Sequence, residues 1–201
     1  MSKKLKWIYN PFEKIAGWRA FGIGILILGI TTVLGYFCNT VFFGISIKQV
    51  HSITLCQAIS LQMLGLAVLV AVMYLVAVLS VKRVRFQDIL GTVTLAKYPL
   101  LLTIPLFWAF NDMIREITDN LLANLQTSAY DIMSEVSAFD LVMLMVFTLV
   151  SLAILVWTIA LLFNAFKVST NIKGAKCGLL FTAIIIISEI ITNVVIFAIR
   201  F

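Results

Sequence analysis

The sequence predicts an all-α polytopic membrane protein with five transmembrane helices, its N-terminus inside and its C-terminus outside. Three observations carry that prediction. The 201-residue chain is 62% apolar and 12% charged, with a mean hydropathy of +1.10, whereas soluble domains are roughly half apolar and a quarter charged. Its apolar residues fall in runs close to the ~20 that a helix needs to cross hydrocarbon, without the alternating pattern of about ten residues that marks an outer-membrane barrel. Its formal charge of +6 is spread between those runs, the signature of membrane orientation and not of a nucleic-acid face. A domain of this size has too little interior for so many Leu, Ile, Val and Phe side chains. The surplus must face lipid, where only helices satisfy their own backbone.

Residues 1–19 form an interfacial lead-in and not a secretory signal, because the apolar run that follows is about twice the length of a signal's core and no small-residue cleavage site closes it. Asn10 can cap a short helix with Pro11 at its first position and Glu13 at its third. Trp7, Phe12, Ile15 and Trp18 suit the headgroup zone. Span one covers residues 20–43, where Gly24, Thr31 and Gly35 share a face and predict close helix contact. Span two covers 57–81. Span three, 95–111, is the weakest: Lys97 lies near its start and Pro99 and Pro105 interrupt it, so it should enter tilted and kink inward. Residues 112–139 are acidic, with Asp112, Glu116, Asp119, Asp131 and Glu135 against Arg115 alone. Ile114, Ile117, Leu121, Leu122 and Leu125 recur there at helical spacing, predicting an amphipathic helix on the outer surface or against a partner. Spans four and five cover 140–166 and 177–199.

The cations test this layout, since cytoplasmic segments keep Lys and Arg while translocated ones do not. One side holds Lys3, Lys4, Lys6, Lys14, Arg19, Lys82, Arg83, Arg85, Lys97, Lys167, Lys173 and Lys176; the other holds only Lys48, Arg115 and Arg200. Removing span three would put the last of these inner groups on the opposite face from the first two. The charges therefore require five spans.

Glu189, near the middle of span five, is the acidic residue placed deepest in an apolar run. Thr182, Glu189, Asn193 and Arg200 lie within about 40° on a helical wheel and make one polar stripe. Two readings follow. The stripe lines a proton or ion path, or Glu189 bonds a neighbouring helix as packing glue, with Gln62 of span two as a candidate partner. Packing is favoured because no second carboxylate, His or Lys in another span accompanies it. Cys38 and Cys56 sit at the outer ends of spans one and two, either as free thiols or as a bridge in an oxidising compartment. His51 is the sole histidine and has no nucleophile or metal context. No phosphate-cradling loop is present. The inventory predicts no catalytic set, cofactor or metal.

A pattern of residues then joins these elements. Phe86-Gln87-Asp88-Ile89-Leu90 leads to Lys97-Tyr98-Pro99-Leu100, Trp157 follows in span four, and Phe166 to Lys176, with Lys173-Gly174 in it, opens span five. It resembles the Yip (Ypt-interacting protein) domain over nearly the whole chain, in a compact bacterial form. The resemblance implies Asp88, Tyr98, Pro99, Lys173 and Gly174 as motif positions, five helices with a cytoplasmic N-terminus, a bacterial inner-membrane location and a role in membrane organisation or trafficking. Eukaryotic members meet small GTPases through a long cytosolic N-terminal region, and only about nineteen residues precede span one here.

The expected function is that of a non-enzymatic membrane protein. Its inner loops would meet anionic lipid headgroups, and its acidic outer helix would meet another membrane protein or a second copy. No nucleic-acid partner is expected. The alternative is a small transporter or channel subunit with its path along span five.

Overall fold

The computed structural model describes residues 10–13, 15–50, 53–81, 83–123 and 138–199. It is mostly helical, and five spans are long and apolar enough to cross a membrane. They are α1 (Gly17–Phe37), α2 (Leu55–Ser80), a third span made of α3 (Phe86–Ala96) and α4 (Thr103–Ala123), α5 (Ala138–Thr170) and α6 (Ala175–Ile199). Hydroxyls inside the helices bond back onto their own turns, as with Thr32 to the Leu28 carbonyl and Thr158 to that of Ile154. This removes the cost of an unpaired polar group in lipid. α2 opens with a capping box, in which the Gln57 N–H donates to Thr54 Oγ1 while the Thr54 N–H donates to Gln57 Oε1.

The first span departs from expectation. α1 stops at Phe37, and Asn39 takes a left-handed φ of 52° that a short amide side chain tolerates. Residues 40–43, expected to complete the span, form instead strand β1 (Thr40–Phe43), which pairs antiparallel with β2 (Ser46–Gln49). The register sets Val41 opposite Lys48 and Phe43 opposite Ser46. Gly44 and Ile45 make the two-residue turn, with Gly44 at φ +58°, where a hairpin turn of type II′ needs a glycine. β1 is buried throughout. The hairpin therefore dips back into the helical bundle from the end where α1 finishes and α2 starts, and protein covers its non-helical backbone, as such depth requires.

Two glycines admit it. A Cβ on Gly65 of α2 would collide with the Gly44 backbone nitrogen, and one on Gly35 of α1 would lie 2.7 Å from the Phe42 ring and 2.9 Å from the Thr40 carbonyl. Gly24 meets the Thr94–Leu95 backbone of α3 in the same way, so the face of Gly24, Thr31 and Gly35 is the buried face of α1.

The third span also differs from its expected limits. It begins at Phe86, nine residues earlier than 95, and continues to Glu116. Pro99 explains its break: a proline lacks the N–H for an α-helical bond and disfavours helical geometry in the residue before it. The chain accordingly passes through a 3₁₀ turn at Tyr98–Leu102 before α4 resumes. This span is the centre of the bundle. Its most apolar window is 67% buried, against 17% for that of α5 and 22% for that of α6. Asp112 prolongs α4, so the expected separate surface helix is a continuation of the third span as far as Ala123, and residues 124–137 lie outside the described part.

The main core joins Leu28, Leu69, Met73, Ile89, Val93 and Leu161 from α1, α2, α3 and α5. Phe12, expected at the headgroups, is 1% exposed within this core, at the 3₁₀ turn Pro11–Glu13; Trp18 is exposed and Trp7 lies outside the described residues.

Gly65→Val places a branched side chain against the hairpin backbone, so an overpacking loss of about 1–3 kcal/mol or more is expected. Gly29→Ala, where a Cβ meets nothing within 4 Å, should stay within about 0.5 kcal/mol. Thermal unfolding of the two variants in detergent measures the difference.

Candidate intramembrane polar site

The hairpin turn brings two polar backbone and side-chain groups into the bundle, and α6 supplies their acceptor. The Ile45 N–H donates to Glu189 Oε1 at 2.7 Å, and the Ser46 hydroxyl donates to Oε2 at 2.9 Å. Both carboxyl oxygens thus accept, the bonding pattern of an ionised carboxylate. Gly44 is needed here as well as for the turn: a Cβ on it would lie 2.8 Å from Oε1. Glu189 is the clamp that holds the tip of the re-entrant hairpin.

This pairing replaces the expected one with Gln62. Gln62 is fully buried on α2, and neither its amide nitrogen nor its amide oxygen has a hydrogen-bond partner. The stripe also resolves into separate environments. Thr182 is exposed and bonds the Gly178 carbonyl, and Asn193 is exposed and donates to the Glu189 carbonyl, so both are satisfied within α6. Arg200 lies outside the described residues.

The structure adds a group that the sequence reading assigned to the inner surface. Lys97 sits at the break between α3 and the 3₁₀ turn, 1% exposed, with no hydrogen-bond partner for Nζ. It lies within electrostatic range of Glu189. The objection that no Lys from another span accompanies Glu189 is therefore overturned. Lys97 belongs to the bundle interior and drops out of the inner-surface cations. The eleven helical residues of α3 that precede it carry it about 16 Å from the start of the span. An unpaired amine at such depth is costly.

Beside Glu189 lies an open cavity of about 610 Å³, inside the range of ~300–1,000 Å³ usual for small-molecule sites. Its walls come from the hairpin, α4, α5 and α6, and are mainly apolar: Phe107, Phe147, Leu155, Ile159 and Ile185. The rings of Phe107 and Phe147 meet edge to face with centroids 5.1 Å apart. The polar lining is Ser46, Lys48, Thr148, Ser151 and Glu189. Ser151 Oγ has no hydrogen-bond partner. Lys48 stands 4.9 Å over the Phe43 ring centroid, a cation–π contact at the hairpin's outer end.

The family-motif positions fall in two places. Asp88 opens α3 beside Gly17, where a Cβ would lie 3.5 Å from Asp88 Oδ1; Thr92, one turn on, meets Ser169 of α5 at 3.1 Å. Lys173 is exposed, and Gly174, at φ +73°, turns the chain into α6. Tyr98 and Pro99 lie at the break, where the Tyr98 and Trp157 rings pack edge to face at 5.6 Å. All three cysteines are free, and burial pushes the Cys38 thiol above its ordinary value. Among the described residues no group of three or more His, Cys, Asp or Glu is placed to hold a metal.

Comparison with protein families, curated proteins and solved structures finds no match to this chain.

Glu189→Leu should cost about 1–3 kcal/mol by stranding the Ile45 N–H in a buried setting. Glu189→Gln keeps an acceptor and should cost less. Amide exchange at Ile45 and Ser46 should quicken strongly in the first variant and weakly in the second.

Proposed function

We propose that this protein is a non-enzymatic integral membrane protein that takes an amphiphile from the bilayer into the cavity beside Glu189. The supporting observation is that one cavity combines a long apolar wall with a few polar groups, the composition of a ligand site. The lipid-partner side of the expected function is thereby given a location. Contact with a membrane protein or a second copy, and anionic lipid at the basic loops, remain part of the proposal. The Yip-like reading is kept as a proposal about membrane organisation and rests on the motif residues alone.

We also place the N-terminus inside and the C-terminus outside, in a bacterial inner membrane. Even without Lys97, eleven cations stand on the inner side against Lys48, Arg115 and Arg200. In this orientation the cavity and the hairpin belong to the outer half of the membrane.

Transport is a second reading, and a specific observation favours it: the third span is broken at a buried amine that faces the charge of Glu189. Discontinuous helices with polar groups at the break are the usual architecture of transporter sites.

Filling the cavity tests the first reading. Ser151→Phe should lower co-purified lipid roughly tenfold while the variant stays monodisperse and helical, as read by native mass spectrometry; unchanged lipid content would sink the proposal. For the second reading, ion or proton flux into liposomes should be present in the wild type and lost in both Glu189→Gln and Lys97→Met. Lowered stability without any flux in the wild type supports packing alone.

A further inference from the structure

The polar groups of the cavity are ordered along its length. In α5 the lining runs from Phe147 and Thr148 through Ser151 to Leu155 and Ile159, twelve residues that span about 18 Å. Ile185 lies one turn of α6 deeper than Glu189, away from the end where that helix finishes. The hairpin enters from the opposite end to Ile159, so Lys48, three residues beyond Ile45, stands roughly 10 Å shallower than the turn held by Glu189. From the deep end outward, the cavity is therefore apolar first, then carboxylate and hydroxyl, then ammonium.

A slender apolar channel fits a hydrocarbon chain. Glu189 then meets whatever follows the chain, and each of its oxygens keeps a lone pair beyond the bond it already accepts from Ile45 or Ser46. That group must donate hydrogen bonds or carry positive charge. The unpartnered Ser151 hydroxyl lines the same level of the cavity. Lys48, exposed at the mouth, complements a negative group further out. Lys97 does not line the cavity and leaves this order unchanged.

We propose that the occupant is a single-chain amphoteric amphiphile whose amine lies next to its hydrocarbon chain and whose phosphate or other anionic group lies at its far end. The geometry selects this order over that of ethanolamine phospholipids, in which phosphate is next to the chain-bearing backbone and the amine is outermost. The inference rests on the cavity being the ligand site, and names the chemistry that the site takes.

The test uses the purified full-length chain and three probes of matched chain length: sphinganine 1-phosphate, with the amine inside and the phosphate outside; lysophosphatidylethanolamine, with the reverse order; and lysophosphatidic acid, with no amine. Wild-type protein should bind the first roughly tenfold more tightly than the other two, the scale of one charge-assisted hydrogen bond. Lys48→Gln and Glu189→Gln should each remove that preference. Lys48 is exposed, so its variant keeps the test valid if Glu189→Gln does not fold. Equal binding of all three probes, all lost in Ser151→Phe, would overturn the charge order and leave the cavity as a ligand site. No binding of any probe, with no effect of Ser151→Phe, would overturn both.

Discussion

The fold depends on one hydrogen bond made in a place where water is not at hand to substitute for it. A hairpin turn that enters a helical bundle carries backbone N–H groups that its own two strands cannot pair. The Ile45 N–H meets Glu189, and the Ser46 hydroxyl meets the same carboxyl group. An unmade bond of this kind costs far more than a made one gains. The glycines at 44 and 65 are consequences of that constraint: one lets the turn approach the carboxyl group, and the other lets the strand backbone lie on α2.

Fixing the hairpin in turn creates the cavity. The strands form one wall and hold the turn close to α6, while α4, α5 and α6 complete the enclosure. Glu189 has two duties as a result, since it secures the wall and presents its remaining acceptor capacity to the interior. A residue with both duties cannot be exchanged freely, because a change aimed at the ligand also loosens the structure that shapes the ligand's site.

The sequence made the spans legible because lipid-facing helices declare themselves by hydropathy. α2, α5 and α6 lie within a few residues of their expected limits, and the central span is the one most poorly bounded. Hydropathy records exposure to lipid, and the helix that neighbouring protein covers has the least need of it: the third span averages 1.5 where the others average 2.0–2.6. The hairpin was hidden for a related reason. Thr40, Val41, Phe42 and Phe43 extend an apolar run without interruption, and only Asn39, Gly44 and the aromatic and β-branched content between them signalled a strand. Glu189 was visible as a deep charge, but its partner was a backbone group, and no side-chain pattern announces that. Lys97 was read as a surface cation because the start of its span was placed nine residues too late.

The buried break at Lys97 also bears on how the protein is assembled. A lysine near the centre of an isolated helix opposes insertion by roughly 2.5–3.5 kcal/mol, and the third span is already the least apolar of the five. It gains a favourable setting only where α1 and α2 are in place to cover it, with Gly24 pressed on Thr94 and Leu95 and Gly91 on the Gly17 carbonyl. During synthesis the first two spans precede it from the insertion machinery. They are a template already standing in the membrane, and the third span is released into their groove and not into lipid.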